Sequence, residues 1–443
     1  MENVEKYVSV VPTENQKRIE KMEFYLFMHF GINTFLGKEW SNGKADPKKF
    51  NPTNLNTDDW CEVAKNIGAK GIILTAKHHD GFCLWQTNTT DYSIKNSPYM
   101  NGKGDIVKLL QKSCEKYGIK LGIYLSPWDR NCKDYGTEKY DDFYCSQLTE
   151  LLTNYGELFC VWLDGACGAR LDGKKPQEYD FQRYYKLVRE LQPNCCISNC
   201  GPDTRWVGNE AGKSRKSEWS VVPRDVFSEK SIMANSQQED VKKFVGGLDN
   251  VSQDLGSREV LKKFDDFIWY PAEVDVSIRP QLFYHKTQNY TIKNPDKLMK
   301  IWYSSVGNNC TLLLNIPPNK EGLIDKHDKK ALDRFKKRLD SEFSNKVKYS
   351  KNVIDENTIK YTFNSQFIDK AVIVEDINFS QRVEEFELIS HIGGSHVTLY
   401  KGTTIGHKKI AVFDKIQTDN VVLKITKCRL EPHIEEFNLF CKA

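Results

Sequence analysis

No run in this 443-residue chain approaches the ~20 apolar residues of a membrane span, so no spanning helix is expected. Its thirteen cysteines, an odd number, show neither a CxxC pair nor the Cys/His spacing of a zinc site. Most sit inside apolar runs (Cys160, Cys195, Cys196, Cys310), where a free thiol behaves as a small hydrophobe. Reduced, buried thiols are therefore expected. An excess of one charge is also missing. With 64 basic and 60 acidic side chains the net charge is +4, which gives no electrostatic case for nucleic acid or an anionic membrane. There is no phosphate-cradling glycine loop and no dinucleotide fingerprint, so no cofactor is expected. Met1 to Lys6 have neither a basic nor an apolar leader character, so no signal peptide is expected. Localisation stays open between the cytoplasm and secretion with a signal removed.

What the chain does have is rhythm. Short apolar runs at Phe24 to Gly31, Gly71 to Ala76, Ile119 to Leu125, Leu158 to Asp164, Cys195 to Cys200 and Thr311 to Ile316 read as strands. Amphipathic stretches alternate with them at Thr57 to Ile67, Asp105 to Tyr117, Tyr140 to Tyr155 and Phe181 to Leu191, then at Ser257 to Asp266, Asp296 to Gly307 and Lys326 to Leu339. Two further strands are expected near Glu218 to Val221 and Phe267 to Tyr270, in a loop-rich section. Alternation of this kind argues for parallel βαβ units, and eight strands fit an irregular (β/α)8-like (TIM) barrel over residues 1–340.

Beyond Phe343 the texture changes to seven short runs separated by turn residues at roughly 8–12-residue intervals. They are Ile359 to Phe363, Lys370 to Val374, Val383 to Ile389, His396 to Tyr400, Lys409 to Phe413, Val421 to Ile425 and Ile434 to Phe440. A C-terminal β-sandwich domain, residues 341–443, is expected to pack directly on the barrel. It contains no Trp, so stacking platforms for sugar are scarce and a buttressing role is favoured.

The chemistry-bearing residues cluster at strand ends. His29 closes the first strand, with Glu39 and Trp40 just beyond; His78, His79 and Asp80 close the second. Tyr124 lies in the third. The fourth run ends Val161-Trp162-Leu163-Asp164-Gly165, an apolar strand delivering one carboxylate to the rim of a sheet. Trp162 and Asp164, two apart, share a face. Later come Trp206, Glu210, Glu218 and Glu273. Taken singly, a strand-end Asp is more often a cap, and Trp more often core. A His-His-Asp cluster could hold a metal, yet adjacent strand residues point to opposite faces, so no metal is expected. Together, His, Trp, Tyr and several carboxyls suit glycoside hydrolysis, which needs one ionised carboxylate and one carboxyl with a raised pKa.

The runs Phe27 to Gly31, Lys77 to Phe82, Val161 to Gly165 and Arg205 to Glu210 resemble glycoside hydrolase family 29, the α-L-fucosidases. Glu218-Trp219-Ser220 and Pro271 to Pro280 look like the subfamily acting on α-1,3- and α-1,4-linked fucose of branched, Lewis-type glycans. The resemblance implies a retaining double displacement on a fucosylated oligosaccharide or glycoprotein glycan, with Asp164 as nucleophile and Glu210 as acid/base. It implies fucose contacts at His29, His78, His79, Tyr124 and Trp162 and a closing loop at Glu39 and Trp40; it does not locate the leaving-sugar contacts, for which Trp206 and Glu273 are the candidates. Glu218 and Glu273 compete with Glu210 for the acid/base role. Gln281-Leu282 departs from the Gly-Trp expected after Arg279-Pro280, which touches the preference for branched substrates. The alternatives are a broader fucosidase acting on α-1,2 or α-1,6 links and a non-catalytic fucose-binding module.

Overall fold

The computed structural model describes residues 4–168, 176–230, 233 and 248–443. Eight strands form one parallel sheet: β1 (Phe24–Met28), β2 (Gly71–Lys77), β3 (Lys120–Leu125), β4 (Cys160–Leu163), β5 (Cys196–Asn199), β6 (Arg205–Trp206), β7 (Ala272–Ser277) and β8 (Cys310–Asn315). Their order is β5-β4-β3-β2-β1-β8-β7-β6. A parallel bridge between Ser198 and Thr204, with Asn199 N–H donating to the Thr204 carbonyl at 3.1 Å, brings β5 and β6 together, so the barrel is nearly closed. No helix separates that pair, which is where the barrel is irregular.

Local chemistry explains the regular half. Asn56 and Asp105 accept hydrogen bonds from the backbone N–H of Asp58 and Lys108, capping helices Thr57–Ile67 and Ile106–Tyr117. Each helix buries one apolar stripe, Trp60, Val63, Ala64 and Ile67 in the first, against the outside of the sheet. β1, β2 and β8 are buried along their whole length, so they read as continuous apolar runs. Inside the barrel Tyr25, Phe27, Ile73, Tyr124, Cys160, Trp162, Cys196 and Leu313 pack together, with Ile19 of helix Glu14–Met22 beneath them. Twelve of the thirteen cysteines are buried.

Two expected barrel strands are corrected. Val221–Pro223 and Phe267–Trp269 exist, but they pair antiparallel with each other outside the barrel. The sixth and seventh places go to Arg205–Trp206 and Ala272–Ser277. The first is only two residues long, and the second alternates carboxyls with valines, so neither carries an apolar run. The stretch Ser257 to Asp266 likewise holds a helix only over Arg258–Leu261.

Helix Lys326–Glu342 leads into seven antiparallel strands. All seven expected runs are extended, but Ile359 to Phe363 and Lys370 to Val374 belong to one strand, Thr358–Glu375, and Lys409 to Phe413 and Val421 to Ile425 to another, Lys409–Cys428. Register breaks within this pair let the sheet fold over itself. The Tyr361 and Phe437 rings stack at 3.9 Å, although Phe437 pairs with Ile373, twelve positions along the strand from Tyr361. The exposed strand Ser350–Asp355 was not expected, because it has no buried face.

Sandwich and barrel meet through polar contacts. Asn309 N–H donates to the Lys408 carbonyl at 2.8 Å, and Ile410 N–H to Gly307 at 2.9 Å. Gln381 receives the Ser220 N–H at 2.7 Å, and Arg258 pairs with Glu384 at 2.9 Å. Among the described residues no helix is long and apolar enough to cross a membrane.

Candidate active site

The C-terminal strand ends surround a cavity of about 290 Å³. Ten of the eleven expected side chains line it: His29, Glu39, Trp40, His78, His79, Tyr124, Trp162, Asp164, Trp206 and Glu210. The eleventh, Glu273, does not.

Asp164 follows β4 directly. Its Oδ2 accepts a hydrogen bond from the Tyr124 hydroxyl at 2.7 Å and its Oδ1 from Ala166 N–H at 2.8 Å. Both carboxylate oxygens are thereby oriented while the group stays partly open to solvent. His79 Nε2 lies 3.8 Å from Oδ2.

The two adjacent histidines share the cavity because β2 ends at Lys77, so strand alternation no longer applies to them. The turn closes with Gly81 N–H donating to the His78 carbonyl at 2.9 Å. Gly81 has φ of 89°, and a Cβ there would lie 2.3 Å from Asp129 Oδ1, so only glycine fits. Beneath the turn the buried Lys77 ammonium bonds Asp129 at 3.0 Å and Gln147 at 2.8 Å. The ring positions are fixed by neighbours. His79 Nδ1 meets Ser126 at 2.8 Å, His29 Nδ1 meets Asn315 at 2.8 Å, and His78 stacks on Tyr124 at 5.9 Å.

Burial sets the charge state of these groups. It lowers His29 to about 3 and His79 to about 4, the latter despite the opposing pull of Asp164, and holds His78 well below its ordinary value. All three are neutral hydrogen-bonding groups near pH 7, suited to hydroxyls. Among the described residues no group of three or more His, Cys, Asp or Glu is arranged to hold a metal ion.

Glu210 stands at the rim, open to solvent on one side. Desolvation by the surrounding protein, then the Asp164 and Glu39 charges, raise its pKa, and solvent access tempers the rise. Glu39 fastens a second segment: its carboxylate accepts from Leu282 N–H at 2.7 Å and Phe283 N–H at 3.3 Å. Trp40 meets His79 edge-on at 5.6 Å.

Two of the expected carboxyls lie elsewhere. Glu273 is fully buried below the cavity, accepting from Trp162 Nε1 at 2.7 Å and from the Tyr25 hydroxyl, so it offers nothing to a leaving sugar. Glu218 is enclosed by the Arg205 and Arg215 guanidinia, which outweigh burial and keep its pKa below the usual value. Neither lines the cavity.

The sequence reading missed Asn199, Asp275, Ser277 and Lys293, all of which line the site. Asn199 ends β5 with φ of 65°, which Asn tolerates, and donates to the Leu163 carbonyl at 2.8 Å. The alternation Glu273-Val274-Asp275-Val276-Ser277, polar residues on one face of a buried strand, was the available signal.

A sequence model described as Alpha-L-fucosidase matches residues 5–342. Alpha-L-fucosidase 1 of Arabidopsis thaliana is 38% identical, the alignment covering 97% of this chain and 87% of that protein. The crystal structure of a Bacteroides ovatus protein provisionally assigned as an α-L-fucosidase superposes with a TM-score of 0.90 at 40% identity, covering 99% of this chain and 75% of that one. A Ruminococcus gnavus family 29 fucosidase, solved in complex with fucose, gives a TM-score of 0.82 at 27% identity over 98% of this chain and 95% of that one.

Proposed function

The chain belongs to the α-L-fucosidase family, glycoside hydrolases acting on fucosylated substrates, and on that premise we propose a retaining double displacement on α-1,3- and α-1,4-linked fucose of branched, Lewis-type glycans. One observation carries the mechanism: Asp164, oriented through both oxygens, shares a small cavity with Glu210, whose proton affinity burial and then the Asp164 charge raise. Asp164 attacks the anomeric carbon and forms a covalent fucosyl-enzyme. Glu210 protonates the departing oxygen, then as carboxylate takes a proton from the water that releases fucose. His29, His78 and His79 bond the sugar hydroxyls as neutral groups, and Trp162 and Tyr124 wall its apolar face. Trp206, at the rim beside Glu210, meets the leaving sugar.

The linkage preference rests on the segment after Arg279. Glu39 ties its backbone to the loop that carries Trp40, and Pro280, Gln281 and Leu282 line the cavity. Its Gln281-Leu282 sequence favours keeping a second reading, a fucosidase that also accepts α-1,2 and α-1,6 links. Residues 341–443 act as a buttress to the catalytic barrel of residues 1–340, supported by the polar seam at Asn309, Lys408 and Gln381.

Fucose release is measured on a panel of fucosylated trisaccharides, with Asp164→Ala as the control. The branched α-1,3 and α-1,4 substrates are expected to be cleaved at least tenfold faster than their degalactosylated versions. Equal rates on unbranched α-1,2 or α-1,6 fucosides would replace the narrow reading by the broad one.

A further inference from the structure

A third carboxyl inside the cavity has no place in the two-carboxyl scheme. Asp275 lies on the inner face of β7, only 5% exposed, between Glu273 below and Ser277 above. It lines the cavity, yet its Oδ1 is buried without any hydrogen-bond partner. Buried polar atoms are almost always paired, and leaving one unpaired is costly. A carboxyl that lines a binding cavity and has no side-chain partner of its own is free to bond a ligand that fills the cavity.

We propose that Asp275 is a catalytic residue of this site, donating a hydrogen bond from its carboxyl to an oxygen of the sugar held between Asp164 and Glu210. The inference rests on the fucosidase reading above. The donor role follows from what surrounds the group. Glu210 faces it from the loop after β6, Asp164 from β4, and Glu273 from its own strand, while β8 presents only uncharged Thr311 and Asn315 nearby. The cavity's cations are engaged elsewhere: Arg279 with Asp328 at 2.9 Å, and Lys293 with the Ser277 carbonyl at 2.5 Å. Burial first, and these three acids next, hold the Asp275 pKa well above the carboxylate range, so a proton stays on the group. A neutral carboxylic acid can donate, whereas a carboxylate can only accept. Glycosidic, ring and hydroxyl oxygens of a sugar are all acceptors.

The test compares Asp275→Asn, which keeps a donor of the same shape, with Asp275→Ala, which removes it. Steady-state rates on an aryl α-L-fucoside and the shift in melting temperature induced by free L-fucose are the two readouts. Asp275→Ala is expected to lose roughly 10- to 100-fold in kcat/KM together with most of the fucose-induced shift. Asp275→Asn should keep kcat/KM within about fivefold of the parent and retain that shift. If Asp275→Ala does not fold, Asp275→Val, similar in volume and without polar atoms, replaces it. Two results would overturn the proposal. One is an alanine variant within twofold of the parent in both readouts. The other is an asparagine variant as weak as the alanine variant, which would mean that Asp275 acts as a carboxylate or as the proton donor. A parent enzyme that releases fucose from neither the aryl fucoside nor the branched trisaccharides would instead sink the fucosidase reading itself.

Discussion

Carboxyls buried at the mouth of the barrel and carboxyls buried in the seam with the sandwich are handled in opposite ways. In the seam three of them are matched by cations. Glu218 lies between Arg205 and Arg215, Glu384 meets Arg258 and Arg429, and Glu23 meets Lys408 and His407. The Glu23 pKa is held at about 2, its charge-assisted hydrogen bonds outweighing burial. In the cavity, Asp164, Glu210 and Asp275 have no Lys or Arg at ion-pair distance among the described residues, and only neutral histidine stands near Asp164. Paired acids keep their charge, and those at Glu384 and Glu23 tie barrel to sandwich. Burial first, and then the neighbouring acids, push the pKa values of the unpaired Glu210 and Asp275 upward, as acid/base chemistry needs.

Substitutions in the two regions should break in different currencies, rate for the cavity and stability for the seam. The largest effect is expected for Asp164→Ala, about a 10⁴-fold fall in kcat with the melting curve unchanged. Azide should restore part of that activity on an aryl fucoside and yield the β-fucosyl azide; a near-normal rate without azide would remove Asp164 as nucleophile. Glu210→Gln follows, with roughly 10²- to 10³-fold lost on a trisaccharide, less on an aryl fucoside whose leaving group needs no proton, and the alkaline limb of the pH profile displaced. An equal loss on both substrates would take the acid role away from Glu210.

In the seam, Arg205→Met leaves Glu218 facing Arg215 alone in a buried setting. We expect about 3–5 kcal/mol lost in denaturant unfolding, with kcat/KM within tenfold while the protein is folded. A stability change below about 1 kcal/mol would undo the contrast between the regions.

The smallest effect concerns Glu273, which belongs to neither group. Burial raises its pKa to about 7, beyond what the Tyr25 and Trp162 hydrogen bonds offset. A group raised in the fold contributes its full stability below its ordinary pKa near 4.5 and loses it as pH rises through about 7. Glu273→Gln should therefore be more stable than the parent at pH 8, by about 1–3 kcal/mol, and show no such gain at pH 4. Parallel stability curves for parent and variant across that range would contradict this.

Much of the architecture was legible because it is local. Caps at Asn56 and Asp105, apolar runs such as Gly71 to Ala76, and turn spacing after Phe343 act over a few residues. The site residues on regular strand ends, His29, His78, His79, Tyr124 and Asp164, were legible for the same reason. The strands were not legible between Cys200 and Ser277. There β6 is too short to show a period, and β7 buries Glu273 and Asp275 where a single sequence offers no reason to bury acids. The ribbon strands Val221–Pro223 and Phe267–Trp269 have the apolar texture of barrel strands, and only their pairing places them outside.

The sequence by itself determined that several strands deliver histidine, aromatic and acidic side chains to one end of a barrel. It also singled out Asp164 at the end of an apolar strand. Tertiary structure alone decided what the other carboxyls do. Glu218 is neutralised by Arg205, Glu273 is tied beneath Trp162 across 111 positions of sequence, and Asp275 turns into the cavity with an oxygen unpaired. The reason is that burial and charge pairing are properties of distance in space, set by groups remote in the chain, whereas strand and helix are written in nearest neighbours.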